Sequence, residues 1–394
     1  MVSACPAAPW PGAGGIAMPY AHGRTFYDAD SHLMELSDWL TRHADPGVRE
    51  RIRPLHLGGA GALAREAVEQ AERRLGDPES ARALEDRLMQ AKGWHALGAF
   101  DPAERSRALD LLGFERQLVF STFAATQFAG DDLDLLYGGT RAHNRAMAAF
   151  CSDDERMIAV GMVPWADPER TAEEAKAAIE MGCGAILVPS APGRDRSPTH
   201  PDYHRLWAML QDANVPFMLH IGGGGRPLRR AFHHNGKEPT TDFLGGGENI
   251  RSKDYMVIHH PPEVFLACMA LDGIFERFPR LRGGCIEQGA MWVVPWLKRL
   301  DLAQETFRRT EPALKLPLRV SDYIRRQVRF TPFPTEPVGW MIEQAGEELF
   351  LFSSDYPHPE GGRDPVRRFE DSLEGISEQG KERFYSRNFA DMMG

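Results

Sequence analysis

Residues 157–188, MIAVGMVPWADPERTAEEAKAAIEMGCGAILV, contain one full cycle of strand, helix and strand. The run MIAVGMV (157–163) is short and continuously apolar, as expected of a strand covered on both faces. After Asp167 and Pro168 the composition switches to Ala, Glu and Lys, which predicts a helix over 170–181, and GAILV (184–188) returns to strand. Two strands joined through a helix of this length lie parallel in one sheet. The cycle extends in both directions. QLVFS (117–121) comes before it across a helical stretch at 132–150, and VPFMLH (215–220) follows a helical stretch at 202–212. TFYDAD (25–30) at the front, with LRGGCIE (281–287), RRQVRF (325–330) and ELFLFSSD (348–355) at the back, completes a set of eight strands. Eight such units in an α/β chain predict a distorted TIM (β/α)8 barrel with helical and Gly-rich loop insertions, with an open doubly wound sheet as the competing topology.

The 394 residues suit one enlarged barrel, whose turns account for the 38 Gly and 29 Pro. The Pro- and Gly-rich leader 1–23 is expected to be a disordered arm, and the barrel to run over 24–391. Two insertions stand out. Residues 44–112 form a helical insertion whose charged, Ala-rich part at 61–92 predicts one or two amphipathic helices and a plausible homodimer surface. Residues 221–260 are too long and Gly-rich for a simple connection and are expected to wall the active site. The GGGG at 222–225 has no following Lys-Ser/Thr and reads as a turn, not a phosphate cradle. A net charge of −10 with scattered basic residues argues against nucleic acid as a partner. No apolar run approaches the roughly 18 residues of a spanning helix, and the leader lacks a basic start followed by an apolar core. Neither membrane insertion nor secretion is therefore expected. The five cysteines, Cys5, Cys151, Cys183, Cys268 and Cys285, contain no CxxC pair, which disfavours a disulfide framework or thiolate zinc site and makes the cytoplasm the default location.

Polar residues gather where the strands end. Asp28, Asp30 and His32 close the first strand, His220 the fifth, Glu287 the sixth and Asp355 the eighth. Strand alternation places 28, 30 and 32 on one face, although Asp30 or Ser31 could instead cap a turn. In a barrel these ends share the C-terminal face, where catalytic groups sit. Carboxylates and imidazoles gathered there call for a divalent cation, which offsets the negative charge and activates water or a substrate oxygen. Asp30, His32, His220, Glu287 and Asp355 are the expected metal ligands, and Asp355 and Glu287 the expected catalytic residues. Glu287 could instead sit near the positive end of a helix. Asp28 and Glu35 are expected to support the ligands. Arg226, with Arg229 and Arg230, and the histidines His233, His234, His259, His260 and His358 are candidates for the pocket.

At DADSH (28–32), PFMLH (216–220), FERFPRLRGGCIEQGA (275–290) and LFSSDYPHPEG (351–361) the chain resembles the aminocarboxymuconate-semialdehyde decarboxylase-like branch of the amidohydrolase superfamily, amidohydrolase family 2. The resemblance covers about residues 24–391 and implies a mononuclear metal-bearing barrel whose members are decarboxylases, hydrolases and hydratases. It implies that Asp30 and His32 stand for the family's HxH metal pair, with aspartate replacing the first histidine. It also implies that His220 is the fifth-strand metal histidine and Asp355 the final-strand metal aspartate. Glu287 takes the place of a catalytic histidine. That replacement favours a hydrolase in which Asp355 or Glu287 accepts a proton from activated water attacking an ester, thioester or amide. The alternatives are non-oxidative decarboxylation of an unsaturated or aromatic acid, and a non-catalytic binding barrel. The implied cofactor is one divalent ion, iron or zinc, with manganese also suited to these ligands. The partner is a small carboxylic or acyl substrate.

Overall fold

Seven parallel strands follow one another around the sheet in chain order. They are β1 Tyr27–Leu33, β2 Arg116–Ser121, β3 Met157–Met162, β4 Ala185–Leu187, β5 Phe217–His220, β6 Gly283–Ile286 and β7 Val328–Phe330. The structure is a computed structural model and describes residues 18–57, 61–124, 131–193, 195–225, 228–238 and 250–394. The segment 349–356 closes the ring. On one side Phe330 N donates to Leu349 O and Leu351 N to Phe330 O, and on the other Ala29 N donates to Phe352 O and His32 N to Tyr356 O. ELFLFSSD is thus the eighth stave, bonded to β7 and β1 through isolated bridges instead of a continuous ladder. The result is the distorted (β/α)8 barrel expected of the sequence.

The helices between strands start at Asp-Pro steps for a local reason. Asp167 accepts from Glu169 N and Arg170 N ahead of Pro168, and Asp101 accepts from Glu104 N ahead of Pro102. An aspartate cap satisfies amide groups at the first turn, and proline there loses no hydrogen bond the helix needs. The helix Leu133–Cys151 matches the stretch expected at 132–150, and the 61–92 insertion forms the helices Gly61–Arg74 and Pro78–Glu85. RRQVRF behaves differently. Residues 325–327 finish the helix Val320–Gln327, and only 328–330 are strand. Tyr323, Ile324 and Gln327 face inward at helical spacing, and Gln327 Nε2 donates to the carbonyls of Phe278 and Leu281. Tertiary anchoring overrides the strand propensity of that run.

One apolar layer packs between strands and helices, and a second fills the barrel itself. Ala29, Leu118, Val160, Ala185, Met218, Ile286 and Leu351 point inward and meet Phe389 and Met392 from the C-terminal helix Asn388–Met393. Phe389 lies edge-on to Tyr27, the first residue of β1, so this helix plugs the N-terminal end of the barrel. With that end filled, the polar cluster is left at the opposite, C-terminal end. Tyr20 N and Ala21 N already donate to Leu111 O and Leu112 O, so the chain joins the barrel shortly before β1. Among the described residues no helix is long and apolar enough to cross a membrane.

Candidate metal centre

The strand ends bring Asp30, His32, His220, Glu287 and Asp355 to one place. His32 Nε2 lies 3.3 Å from Asp30 Oδ1, 3.5 Å from Asp355 Oδ1 and 3.8 Å from Glu287 Oε2. His220 Nε2 lies 3.4 Å from Asp30 Oδ1 and 3.4 Å from Glu287 Oε2. All five residues are buried. Local backbone features aim them. The pairing of β1 with β2 slips between Asp28 and Ser31, a bulge of the kind that re-aims side chains beside active sites. Asp30 and Ser31 are therefore strand residues and not caps, and Ser31 Oγ donates to Leu118 O at 2.7 Å. Glu287 (φ 54°) and Asp355 (φ 51°) both adopt the left-handed conformation where their strands end. For a residue with a Cβ this costs roughly 1–2 kcal/mol and marks a constrained, functional position. Glu287 is held by its own N–H, which donates to Thr331 Oγ1 at 2.8 Å, and Asp355 N donates to Asp30 O at 2.9 Å.

His358 belongs to the cluster more fully than its place in a turn suggests. Its ring stacks on His32 with 3.9 Å between centroids, its Nδ1 is 3.1 Å from Asp355 Oδ1 and its Nε2 is 3.0 Å from Thr122 Oγ1. Asp28 supports the cluster from below. It accepts from Ser354 N at 2.8 Å, Ser354 Oγ at 2.6 Å and Gln117 Nε2 at 2.8 Å. Glu35 accepts the backbone N–H groups of Thr122, Phe123 and Ala124, which fixes the loop after β2. The remaining candidates lie elsewhere. His233 pairs with Asp254, and His234, Arg229 and Arg230 are exposed. His259 stacks on Trp292 and forms a separate, partly exposed group with His260 and Glu263, outside the barrel mouth. The 221–260 segment does not fold these histidines over the cluster because His259 and His260 begin the outer helix His260–Leu271. Arg226 lies outside the described residues.

Sequence reading missed the scaffold behind the ligands. Arg105 is fully buried; it donates to Gln117 Oε1 at 3.1 Å and Gly98 O at 2.7 Å, and its Nη2 donates to His32 O. It thereby links the helix Pro102–Leu112 to Gln117, which in turn holds Asp28. Ser354, directly before Asp355, was the one local hint. Nothing near Arg105 or Gln117 in the chain marks their role, because their partners are distant in sequence.

Burial is the main electrostatic influence. It pushes His32 down to about 4, with His358 adding to the effect, and His358 down to about 3. Both rings are therefore neutral, as metal ligands must be. Burial, then the neighbouring Asp30, raises Asp355 to about 7. Burial also opposes ionisation of Asp30, but the His220 and His32 rings beside it outweigh that and hold the carboxyl below its usual range.

A divalent ion fits these residues. Both ring nitrogens of His32 and both carboxylate oxygens of Asp355 are buried with no hydrogen-bond partner among the described residues. Such atoms are costly unless something coordinates them. Two donors each about 2.1 Å from a shared ion lie roughly 3.0–3.5 Å apart, close to the separations seen here. Asp30, His32, His220 and Glu287 form one group that could hold a metal, and His32, Glu287, Asp355 and His358 an overlapping one. Beside them, Asp30, Glu287, Thr331, Phe333, Asp355 and Glu360 line a cavity of about 30 Å³.

A barrel with this cluster at its C-terminal mouth carries a buried group of His, Asp and Glu side chains that could hold a metal ion. The family model described as Amidohydrolase matches residues 27–392, and the chain belongs to the amidohydrolase family. No curated protein sequence matches it significantly. Among solved structures, an amidohydrolase from Mycobacterium avium subsp. paratuberculosis is 24% identical, with 95% of this chain and 100% of that one covered and a TM-score of 0.72. A 5-carboxyvanillate decarboxylase from Novosphingobium aromaticivorans, complexed with manganese and 4-hydroxy-3-methoxy-5-nitrobenzoic acid, is 17% identical over 94% and 96% of the two chains, with a TM-score of 0.60. A 2,6-dihydroxybenzoate decarboxylase from Rhizobium is 16% identical over 94% and 98%, with a TM-score of 0.61. At these identities the likeness establishes the fold.

Proposed function

We propose that the protein is a metal-dependent, non-oxidative decarboxylase of an unsaturated or aromatic carboxylic acid. The observation that carries this reading is Asp355, a buried carboxyl at the cavity edge whose two oxygens have no hydrogen-bond partner among the described residues. A carboxyl at that place can give a proton to a substrate atom and regain one from solvent. The decarboxylases among the structural neighbours, with their aromatic acid substrates, support the same choice over hydrolysis.

Asp30, His32, His220 and Glu287 would hold one divalent ion, which when bound draws electron density from the substrate and orients it. Manganese, present in one neighbour, joins iron and zinc as ions suited to mixed imidazole and carboxylate ligands. The bond from the substrate carbon to its carboxylate breaks, carbon dioxide leaves, and the electron pair remains on carbon. Asp355 gives its proton to that carbon and regains one from solvent. Asp28 holds the ligand strand in place. Phe333 and Pro332 supply the apolar part of the cavity lining beside the cluster.

A second reading rests on Glu287, a carboxylate where the family's catalytic histidine is expected. There it could accept a proton from water attacking an ester, thioester or amide. One experiment separates the two. Protein stripped with chelator and reloaded with manganese, zinc or iron is given a panel of aromatic and unsaturated acids and acyl esters, and carbon dioxide and free acid are measured separately. Metal-dependent carbon dioxide release is expected; acyl hydrolysis without it would replace the proposal with the second reading.

A further inference from the structure

Lys92 Nζ is buried, and no hydrogen bond reaches it among the described residues. A buried ammonium without a partner is strongly disfavoured, so a fold that retains one calls for a physical reason. Lys92 comes from the helical insertion, immediately before the short helix Gly93–His95. That stretch is fastened to the site. Gly93 N donates to Pro357 O at 2.9 Å, Trp94 Nε1 donates to Glu35 O at 3.1 Å, and Tyr356 Oη donates to Leu97 O at 2.6 Å. Trp94 also stacks on Phe123 with 5.2 Å between centroids. The backbone that carries Lys92 is thus held against the segment after β1 and the 355–360 turn.

The charges acting on Lys92 are those of the site. Burial, the largest influence, lowers its proton affinity to about 8; Asp355 and Glu360 counter that effect and Arg363 adds to it. Glu360 lines the cavity beside Asp355, and its Oε2 is also buried without a hydrogen bond. Lysine and glutamate therefore act on each other through space while each keeps an unused polar atom. The ligand set has its own imbalance. Asp30 and Glu287 alone match the charge of a divalent cation, so Asp355, once it has given up its proton, and an entering carboxylate each add an uncompensated negative charge. A cation beside Asp355 offsets that repulsion.

We propose that Lys92 recognises a carboxylate of the substrate, its ammonium donating to a carboxylate oxygen beside Asp355. This rests on the substrate being a carboxylic acid and assigns selectivity for the anion to the helical insertion, not to the arginines of the Gly-rich loop. The test uses the full, manganese-loaded chain and two isosteric probes, benzoate and benzamide, with dissociation constants measured by calorimetry. Wild type is expected to prefer benzoate. Lys92→Met is expected to weaken benzoate roughly ten- to a hundredfold, the range of a charge-assisted hydrogen bond, and to leave benzamide within about twofold. Lys92→Arg should recover part of the preference. Unchanged benzoate binding in Lys92→Met overturns the proposal, as does a wild type with no preference between the probes. A Lys92→Met protein that fails to fold, or that loses both probes equally, marks a structural lysine and overturns it too. Carbon dioxide release is read separately, so a failed decarboxylase assignment leaves the binding comparison intact.

Discussion

Ser354 gives Asp28 both its backbone N–H, at 2.8 Å, and its hydroxyl, at 2.6 Å, joining the first strand to the last across a sequence separation of 326. The clamp sits two residues from Asp30 and one from Asp355, so the two ends of the chain hold their candidate ligands in register through it. Asp28 is fully buried, and Gln117 gives it a third hydrogen bond, which makes it a positioning residue and not a ligand.

Replacing Asp28 with Asn puts an amide N–H₂ among those three donors. Divalent-ion affinity is expected to fall about 10–100-fold, as for other groups that orient ligands, and stability by about 1–3 kcal/mol from the mismatched buried hydrogen bonds. Competition for manganese against a chelating dye measures the first, and urea unfolding of the metal-free protein the second. Wild-type metal affinity in the variant would remove Asp28 from the positioning network.

Asp355→Asn and Glu287→Gln separate the two acids. If Asp355 supplies the proton to carbon, Asp355→Asn lowers kcat for carbon dioxide release by about 10²–10⁴. Glu287→Gln should cost less in that reaction and act mainly through metal affinity. Metal content measured beside kcat distinguishes lost coordination from lost proton transfer. A Glu287→Gln protein that holds its metal yet loses more activity than Asp355→Asn would exchange the two roles.

His143 provides a pH prediction away from the ligands. It is fully buried, its Nδ1 facing Asn144 Oδ1 at 3.0 Å and its Nε2 facing Ser121 Oγ at 2.9 Å, and burial lowers it to about 4. The folded protein thus binds this proton less readily than the unfolded chain, whose histidine titrates near 6.5. The neutral ring's contribution is present above pH 6.5 and is lost as pH falls toward 4, about 3 kcal/mol over the full window. Urea midpoints of wild type and His143→Gln measured from pH 7 to pH 4 should converge on the acid side. Parallel curves would show that His143 does not set this slope.

Much of the barrel was legible along the chain. Apolar runs of strand length alternate with Ala- and Glu-rich stretches opened by Asp-Pro caps, and both signals are local, so MIAVGMV, GAILV and PFMLH coincide with observed strands. The polar residues at strand ends were legible for the same reason: Asp30, His32, His220, Glu287 and Asp355 interrupt apolar runs where a barrel turns its catalytic face outward. The ambiguous segments were those in which local and tertiary preferences disagree. RRQVRF has strand composition, yet its first half is helix because Gln327 is tied to the carbonyls of Phe278 and Leu281.

What only the tertiary structure decided is which polar groups share a space. His358 and His259 look alike in sequence, each in a short His- and Pro-containing stretch, but closure of the ring stacks His358 on His32, while His259 stacks on Trp292 outside the barrel mouth. Arg105 and Gln117 carry no local signature because the groups of the site that they hold, His32 and Asp28, lie 73 and 89 residues away. The sequence alone determined the repeating units and the chemistry available at their ends, since periodicity and residue type act over a few neighbours. Burial, hydrogen-bond partners and proton affinities depend on distances set when the eighth stave meets the first, and these bring Asp355 into the His/Asp/Glu cluster and leave the Lys92 ammonium buried without a hydrogen bond among the described residues.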